Sequence, residues 1–168
     1  GHFPRTERVA KSSAQLVAVP VPLYRSTYVA IVRNARTKIT NWQDLTAYRV
    51  GFHLGWKVFT DREANFGTPI HARSGAELID LLERQTVQVV LSEINYFRIL
   101  AHARGFNDFH INPTPLSSED VFLLVHMRHR DKVPDLAAAL RSMMRDGSYA
   151  RLCPPCAETL QLGGASPS

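Results

Sequence analysis

The sequence predicts an α/β protein built on a parallel sheet. Between residues 40 and 111, short β-branched or apolar runs alternate with segments whose apolar side chains recur at helical spacing. That alternation is typical of a parallel sheet with helices on both faces. In open sheets of this kind, ligands bind beyond the carboxyl ends of the strands. Two such ends are visible, one at residues 53–55 and one at Ser92 and Glu93.

The individual elements follow from local patterns. Residues 86–91 are β-branched and form the clearest strand, and the apolar runs 28–33 and 121–126 indicate strands buried on both faces. Ser74 with Glu77 forms a capping box that opens a helix, and Gly105 ends the following one. In order, we expect strands at 15–19, 28–33, 48–52, 69–73, 86–91, 109–111 and 121–126; a helical turn capped by Thr40 or Asn41; helices at 56–65, after Ser74, from Ile94 and after Asp131, with Pro134 in the first turn; and one more turn at 148–152.

Composition and charge favour a soluble globular protein. The chain has 168 residues, 45% of them hydrophobic and 21% charged, enough for one domain or two small lobes. The formal net charge of +5 is spread along the sequence, so we expect no nucleic-acid partner. No run of about 18 apolar residues exists, so no membrane-spanning helix is expected.

Several short motifs along the chain resemble one known family. They are residues 3–8 (FPRTER), 22–26 (PLYRS), 39–45 (ITNWQDL), 49–51 (RVG) with Gly55, 74–78 (SGAEL), 87–93 (VQVVLSE) and 143–149 (MMRDGSY). Their order and spacing resemble the type 2 periplasmic solute-binding proteins, which include amino-acid-binding receptors and the Venus-flytrap sensor domains of bacterial kinases. Each motif is weak alone, and the resemblance rests on their order over most of the chain.

The resemblance implies a two-lobed fold with a hinge. Lobe 2, at residues 29–113, is expected to be complete. Residues 1–28 and 114–156 are expected to form a partial lobe 1 with the hinge strands, because its opening elements precede Arg8 in the family. Residues 157–168 are expected to be a flexible tail. A partial lobe would leave apolar strands uncovered, so a homodimer through this remnant is expected.

The implied function is non-catalytic binding of a small solute, either amino-acid-like or a small carboxylate. The binding would serve uptake, with a membrane transporter as partner, or sensing, as the periplasmic part of a receptor kinase or cyclase. Alternatives are the ligand-sensing domain of a transcription regulator, a dehydratase of the same fold, or a domain associated with a cell-wall lyase. No catalytic set and no cofactor motif is recognised, and His126 with His129 is too little for a metal site.

Two charged residues carry the implied ligand contacts. Arg8 stands where the receptors clamp a ligand carboxylate, which an arginine fork binds through two parallel charge-assisted bonds. Glu93 stands where they usually carry an aspartate that accepts the ligand's amino group. The alternatives are an ordinary surface arginine for Arg8 and a helix N-terminal acid for Glu93.

Further candidates lie on the first strand end and on the hinge strand. Gly55, Trp56 and Lys57 open a helix whose amides suit an anion, although the family usually has small hydroxyl residues there. Trp56 is a candidate for stacking on a ligand or for packing. His53 could hydrogen-bond a ligand or could be an ordinary solvated loop residue. Tyr24 could line the ligand-binding cleft between the two lobes or could pack within the hinge.

The Cys153-Pro-Pro-Cys156 motif has three interpretations: a redox catalyst, half a zinc site, or a local disulfide. The catalytic form requires a helix to begin at the first cysteine. Here the motif follows a predicted helix, and its two prolines favour a turn. We therefore expect a local disulfide or free thiols and no metal.

Overall fold

The computed structural model describes residues 15–162. Within them the chain forms two compact units. One unit is Thr27–Ser118, and the other comprises the segments up to Ser26 and from Glu119 onward. The chain therefore passes from one unit to the other twice, once within each of two long strands.

The elements are as follows. The strands are β1 (Leu16–Val32), β2 (Arg49–His53), β3 (Thr68–Ala72), β4 (Val89–Glu93), β5 (His110–Ile111) and β6 (Ser117–His126). The α-helices are α1 (Lys57–Thr60), α2 (Gly75–Glu83), α3 (Ile94–Arg104), α4 (Val133–Asp146), α5 (Ser148–Leu152) and α6 (Pro154–Thr159). Short 3-10 helices occupy Trp42–Ala47, Glu63–Asn65 and Met127–Lys132. No helix within residues 15–162 is both long enough and apolar enough to cross a membrane.

The sheet is mixed: the strands within residues 40–111 share one direction, as predicted, and β1, for which no direction was predicted, runs opposite to them. Its order is β3-β2-β4-β1-β5, and β6 pairs with β1 outside this order. Strand β2 runs parallel to β3 and β4, as the alternating pattern predicts. Strand β1 enters in the opposite direction and pairs antiparallel with β4 and β5. The apolar pattern of β1 reports burial on both faces and carries no information about strand direction.

Both faces of the sheet in Thr27–Ser118 are covered. Val29 and Ile31 of β1 belong to a buried cluster that includes residues of α2 and α3. The alternate residues Ala30 and Val32 belong to a second cluster with Phe52 and others. This alternation confirms that 28–33 is buried on both sides, and it fixes the register of β1 because a one-residue slip would exchange the two faces.

Local capping signals are mostly confirmed. The Asn41 side chain accepts a hydrogen bond from Asp44 N at 3.1 Å, and Ser74 Oγ accepts one from Glu77 N at 3.1 Å. The Glu77 carboxylate accepts from Arg73 N at 2.9 Å, one residue before the usual partner in a capping box. Helix α3 ends at Gly105, whose φ of +69° is left-handed as expected.

Three predictions about helices and strands are wrong. The helix expected at 56–65 is only α1 plus a 3-10 turn, closed by the bond from Phe66 N to Glu63 O at 3.1 Å, because the chain must turn quickly into β3. Asp131 lies inside a 3-10 helix that leads directly into α4, so it caps nothing. Strand β6 is not buried on both faces, since Phe122 and Leu124 are 37% and 47% exposed.

Candidate functional site

The carboxyl ends of β2, β3 and β4 lie at one edge of the sheet, because these strands are parallel. At the ends of β2 and β4 the chain brings together His53, Trp56 and Tyr96, with Tyr28 from the neighbouring strand β1. We call these four side chains the aromatic edge. All four are half-buried, so they combine fixed positions with access to solvent.

Trp56 is the centre of the aromatic edge. Its ring stacks on His53 with centroids 5.9 Å apart and lies 5.1 Å from the Tyr96 ring. On the core side it stacks on the buried Phe59 at 5.9 Å, with 14° between the planes. Tyr28 meets it edge to face at 6.4 Å. Aromatic pairs with such geometry contribute about 0.5–1.5 kcal/mol each beyond burial, so the indole is held in place by its neighbours.

Gly55 turns the chain from β2 toward Trp56. Its φ of +94° is left-handed, a conformation that strains any residue with a Cβ. Helix α1 begins only at Lys57, and Trp56 is its N-cap residue without a capping side chain. Lys57 Nζ pairs with Asp61 Oδ2 at 2.5 Å on an exposed surface, so its charge is matched within the same turn.

His53 has one ring nitrogen committed and one available for other contacts. Because the Leu54 carbonyl only accepts, His53 Nδ1 donates to it at 2.9 Å. The neutral ring then carries a lone pair on Nε2, and among the described residues Nε2 makes no hydrogen bond. His53 also meets Tyr96 edge to face at 6.5 Å, so its ring is held from two sides.

Glu93 ends β4 and caps α3. Both of its carboxylate oxygens lie 2.9 Å from Asn95 N, and Oε2 also accepts from Tyr96 N at 3.5 Å. Burial raises the pKa of the Glu93 carboxyl, and the backbone hydrogen bonds and the nearby Arg98 oppose this effect. Glu93 is thus a half-buried carboxyl beside the aromatic edge, directly opposite Tyr28 in the β1–β4 pairing.

Tyr96 is a member of the aromatic edge that the sequence analysis did not identify as a candidate. It lies three residues after Glu93 and therefore on the same face of α3, a spacing that could have indicated it. Burial raises the pKa of its hydroxyl. Gly75 permits this arrangement, since a Cβ there would come within 2.7 Å of Leu100 and 3.2 Å of the Tyr96 hydroxyl oxygen.

The structure therefore brings together His53, Trp56 and Glu93, with Gly55 and Lys57 beside them. Tyr24 is half-buried in the part of β1 that belongs to the other unit. Arg8 lies outside the described residues. Within residues 15–162, no group of three or more histidine, cysteine, aspartate or glutamate side chains is arranged to hold a metal ion.

Cys153 and Cys156 are joined by a disulfide. The expected turn is wrong, because the motif begins helix α6, and Cys153 is its N-cap residue. Its Sγ lies 3.3 Å from Cys156 N. The two prolines fit this arrangement, since proline is well tolerated in the first helical turn, where amides have no helical partner.

Comparisons with solved structures identify the fold. A mutant of ArgBP from T. maritima matches with a TM-score of 0.64 and 16% identity, covering 90% of this chain and 64% of that one. The GluR0 ligand-binding core in complex with L-glutamate matches with a TM-score of 0.68 and 12% identity, covering 95% of this chain and 68% of that one.

A third match is an ancestral amino acid-binding protein described as a precursor of cyclohexadienyl dehydratase. Its TM-score is 0.63 at 14% identity, with 93% of this chain and 66% of that one covered. No protein-family profile matches the sequence, and no curated protein sequence is similar to it. The chain thus spans a little under two thirds of the length of ArgBP, and at these identities the likeness establishes architecture. The chain has the fold of the type 2 periplasmic binding proteins, as the resemblance of its sequence motifs predicts.

Proposed function

We propose that the protein binds a small solute at the aromatic edge without transforming it. The main support for this proposal is that the side chains of His53, Trp56 and Tyr96 already pack together beside the half-buried Glu93, at the carboxyl ends of parallel strands. Ligands of open α/β sheets bind beyond these ends, and a rigid aromatic wall with a few polar groups is typical of small-molecule sites.

The ligand class that we propose is amino-acid-like. Glu93 supplies a carboxylate for an amino group, and the Trp56 face attracts a cation through its ring quadrupole. Arg8 is proposed to hold the ligand carboxylate. Two of the structurally similar proteins are named as complexes with amino acids, L-glutamate in GluR0 and arginine in ArgBP. A small carboxylate without an amino group would use Arg8 but leave Glu93 unmatched.

The cellular role that we propose is uptake or sensing in the periplasm. The partner would be a membrane transporter, or a receptor kinase or cyclase of which this chain is the extracytoplasmic part. The Cys153–Cys156 disulfide supports an oxidising compartment, because disulfides persist there and are rare in the cytosol.

The test is titration calorimetry with the twenty amino acids and a set of dicarboxylates. Trp56→Ala should weaken the best ligand at least tenfold, because it removes the wall of the site. Trp42→Ala is the matched control: Trp42 also packs on Phe59, at 6.3 Å, but lies outside the aromatic edge. Equal losses in the two variants would show that the effect arises from the shared core, and would refute the site.

Glu93 and Arg8 are tested separately. Glu93→Gln keeps an oxygen that can cap α3 but removes the charge, so it should lower affinity by about 2 kcal/mol with little change in stability. Arg8→Ala should lower affinity by a similar amount. Unchanged affinity in both variants would remove the amino-acid class from consideration.

An enzymatic role is a second candidate, because one similar structure is named as a dehydratase precursor. The observation that favours it is the half-buried Glu93 carboxyl beside His53 and Tyr96, since burial raises the pKa of this carboxyl and a raised pKa favours the proton-donating form. Long incubation of the bound ligand with the protein, followed by mass spectrometry, distinguishes the two. Recovery of unchanged ligand supports binding alone.

A further inference from the structure

A cavity lies at the edge of the same sheet opposite the aromatic edge, near the amino ends of β2 and β4. Its volume is about 500 Å³, within the range of small-molecule sites. The polar residues around it include Arg33, Tyr48, Arg49, Gln88 and Asp108. None of them belongs to the aromatic edge, and all lie within Thr27–Ser118.

Arg33 and Asp108 neutralise each other. Arg33 Nη2 forms an ion pair with Asp108 Oδ2, and Nη1 donates to the Glu83 carbonyl at 2.7 Å. The arginine is therefore anchored at both ends of its fork. This pair forms one wall of the cavity and adds no net charge to it.

Arg49 contributes the uncompensated charge. Its Nε donates to the Thr86 carbonyl at 3.0 Å, and its backbone N donates to Gln88 Oε1 at 2.9 Å. Within residues 15–162, its two terminal nitrogens make no hydrogen bond and no ion pair. A guanidinium held at Nε with both Nη groups unoccupied is arranged for a bidentate oxyanion.

Gln85 adds a polar side chain to the lining of this cavity. It follows α2 with a φ of +60°, a position where helices usually place glycine. A residue with a Cβ pays about 1–2 kcal/mol in this conformation. The Gln85 side chain lines the cavity, where its amide can donate to a ligand.

The cavity is lined by more hydrogen-bond donors than acceptors, and its base is apolar. Gln88 keeps its amide nitrogen, and Tyr48 its hydroxyl, without a partner among the described residues. Leu82 and Val87, each 1% exposed, form the floor. We propose that this cavity is a second ligand site, which binds small molecules carrying a carboxylate or phosphate through the Arg49 fork.

The test uses amide and arginine-side-chain NMR of the whole chain, titrated with sodium acetate and with sodium phosphate at constant ionic strength. Saturable shifts are expected at Arg49, Gln85 and Gln88, and the tighter of the two probes identifies the anion class. Arg49→Gln should weaken binding at least tenfold. Arg36→Gln is the matched control, since Arg36 is exposed on the turn after β1 and does not line the cavity.

Two further variants test the cavity independently of the stability of Arg49→Gln. Gln85→Gly relieves the left-handed strain, so it should raise the melting temperature while weakening anion binding. Trp56→Ala should leave the anion titration unchanged, which separates this site from the aromatic edge. Non-saturating shifts with both probes would overturn the proposal, as would equal effects of Arg49→Gln and Arg36→Gln, or a loss of anion binding in Trp56→Ala.

Discussion

Replacing Gly67 by alanine should strongly destabilise the unit Thr27–Ser118. Gly67 precedes β3, and its N donates to the Leu45 carbonyl at 3.0 Å, while Thr68 N donates to the Tyr48 carbonyl at 3.0 Å. A Cβ on Gly67 would lie 2.5 Å from Tyr48 O, 2.8 Å from Thr46 O and 2.9 Å from Tyr48 N. All three are backbone atoms, so no side-chain rotation can relieve the collision.

The loss of stability in Gly67→Ala can be estimated from the contacts that must be displaced. Overpacking costs about 1–3 kcal/mol, and separating the segments weakens two hydrogen bonds worth about 0.5–1.5 kcal/mol each. Restricting the unfolded chain returns about 0.4–1 kcal/mol. The net loss is about 3 kcal/mol, which at this chain length lowers the melting temperature by roughly 6–12 °C.

Tryptophan fluorescence reports this unit selectively. The chain has two tryptophans, Trp42 and Trp56, and both belong to Thr27–Ser118. The control is Gly105→Ala, where φ is +69° but no atom lies within 4 Å of the added Cβ. Gly105→Ala should lower the free energy of unfolding by about 1 kcal/mol, because of its left-handed backbone conformation alone. A Gly67→Ala variant no less stable than Gly105→Ala would refute the collision argument.

Three further perturbations have defined outcomes. Burial raises the pKa of the Glu93 carboxyl, so between its ordinary pKa and the raised value the folded state binds more protons than the unfolded state. The free energy of unfolding should therefore fall as pH rises through this range. Glu93→Gln should remove this part of the pH dependence, as measured by denaturation followed by tryptophan fluorescence. Tyr149→Phe removes the hydroxyl that donates to the Leu23 carbonyl, and should cost about 1 kcal/mol and speed hydrogen exchange near Leu23 without changing tryptophan fluorescence. Replacing Cys153 and Cys156 by serine should cost about 2 kcal/mol, estimated from the short loop that the disulfide closes, as measured by denaturation followed by circular dichroism.

The sequence predicted best what depends on near neighbours. Ser74 and Gly105 delimit helices correctly because a cap and a left-handed C-terminus involve only a few consecutive residues. The antiparallel direction of β1 was not predicted, because it depends on a pairing with β4 some sixty residues away and an apolar run looks the same in either direction. Strand β6 was expected to be buried because an apolar run indicates a preference for burial and not whether a neighbour supplies the cover.

The location of the candidate site was predicted from the carboxyl ends of the strands. His53 and Glu93 were identified because parallel strands must end at one edge, and the structure places Trp56 in contact with both His53 and Tyr96. Tyr96 was missed because an aromatic residue in a helix normally indicates core packing. The capping role of Glu93 was one of two open alternatives, and the structure shows that its carboxylate caps α3 and is half-buried.

Trp56 decides which ligands the site that we propose at the aromatic edge would favour. The resemblance would place small hydroxyl residues here, whose amides and hydroxyls suit a carboxylate. Instead the indole fills the space between His53 and Phe59, α1 is a single turn, and Lys57 is paired with Asp61. This edge therefore presents ring faces and a carboxyl, which favour the cationic or apolar end of a ligand by about 0.5–2 kcal/mol. The ligand carboxylate must then be held by another group, for which Arg8 is the proposed residue. We accordingly expect cationic amino acids to bind more tightly than dicarboxylates, and Trp56→Ala to reduce that preference rather than affinity for all ligands equally.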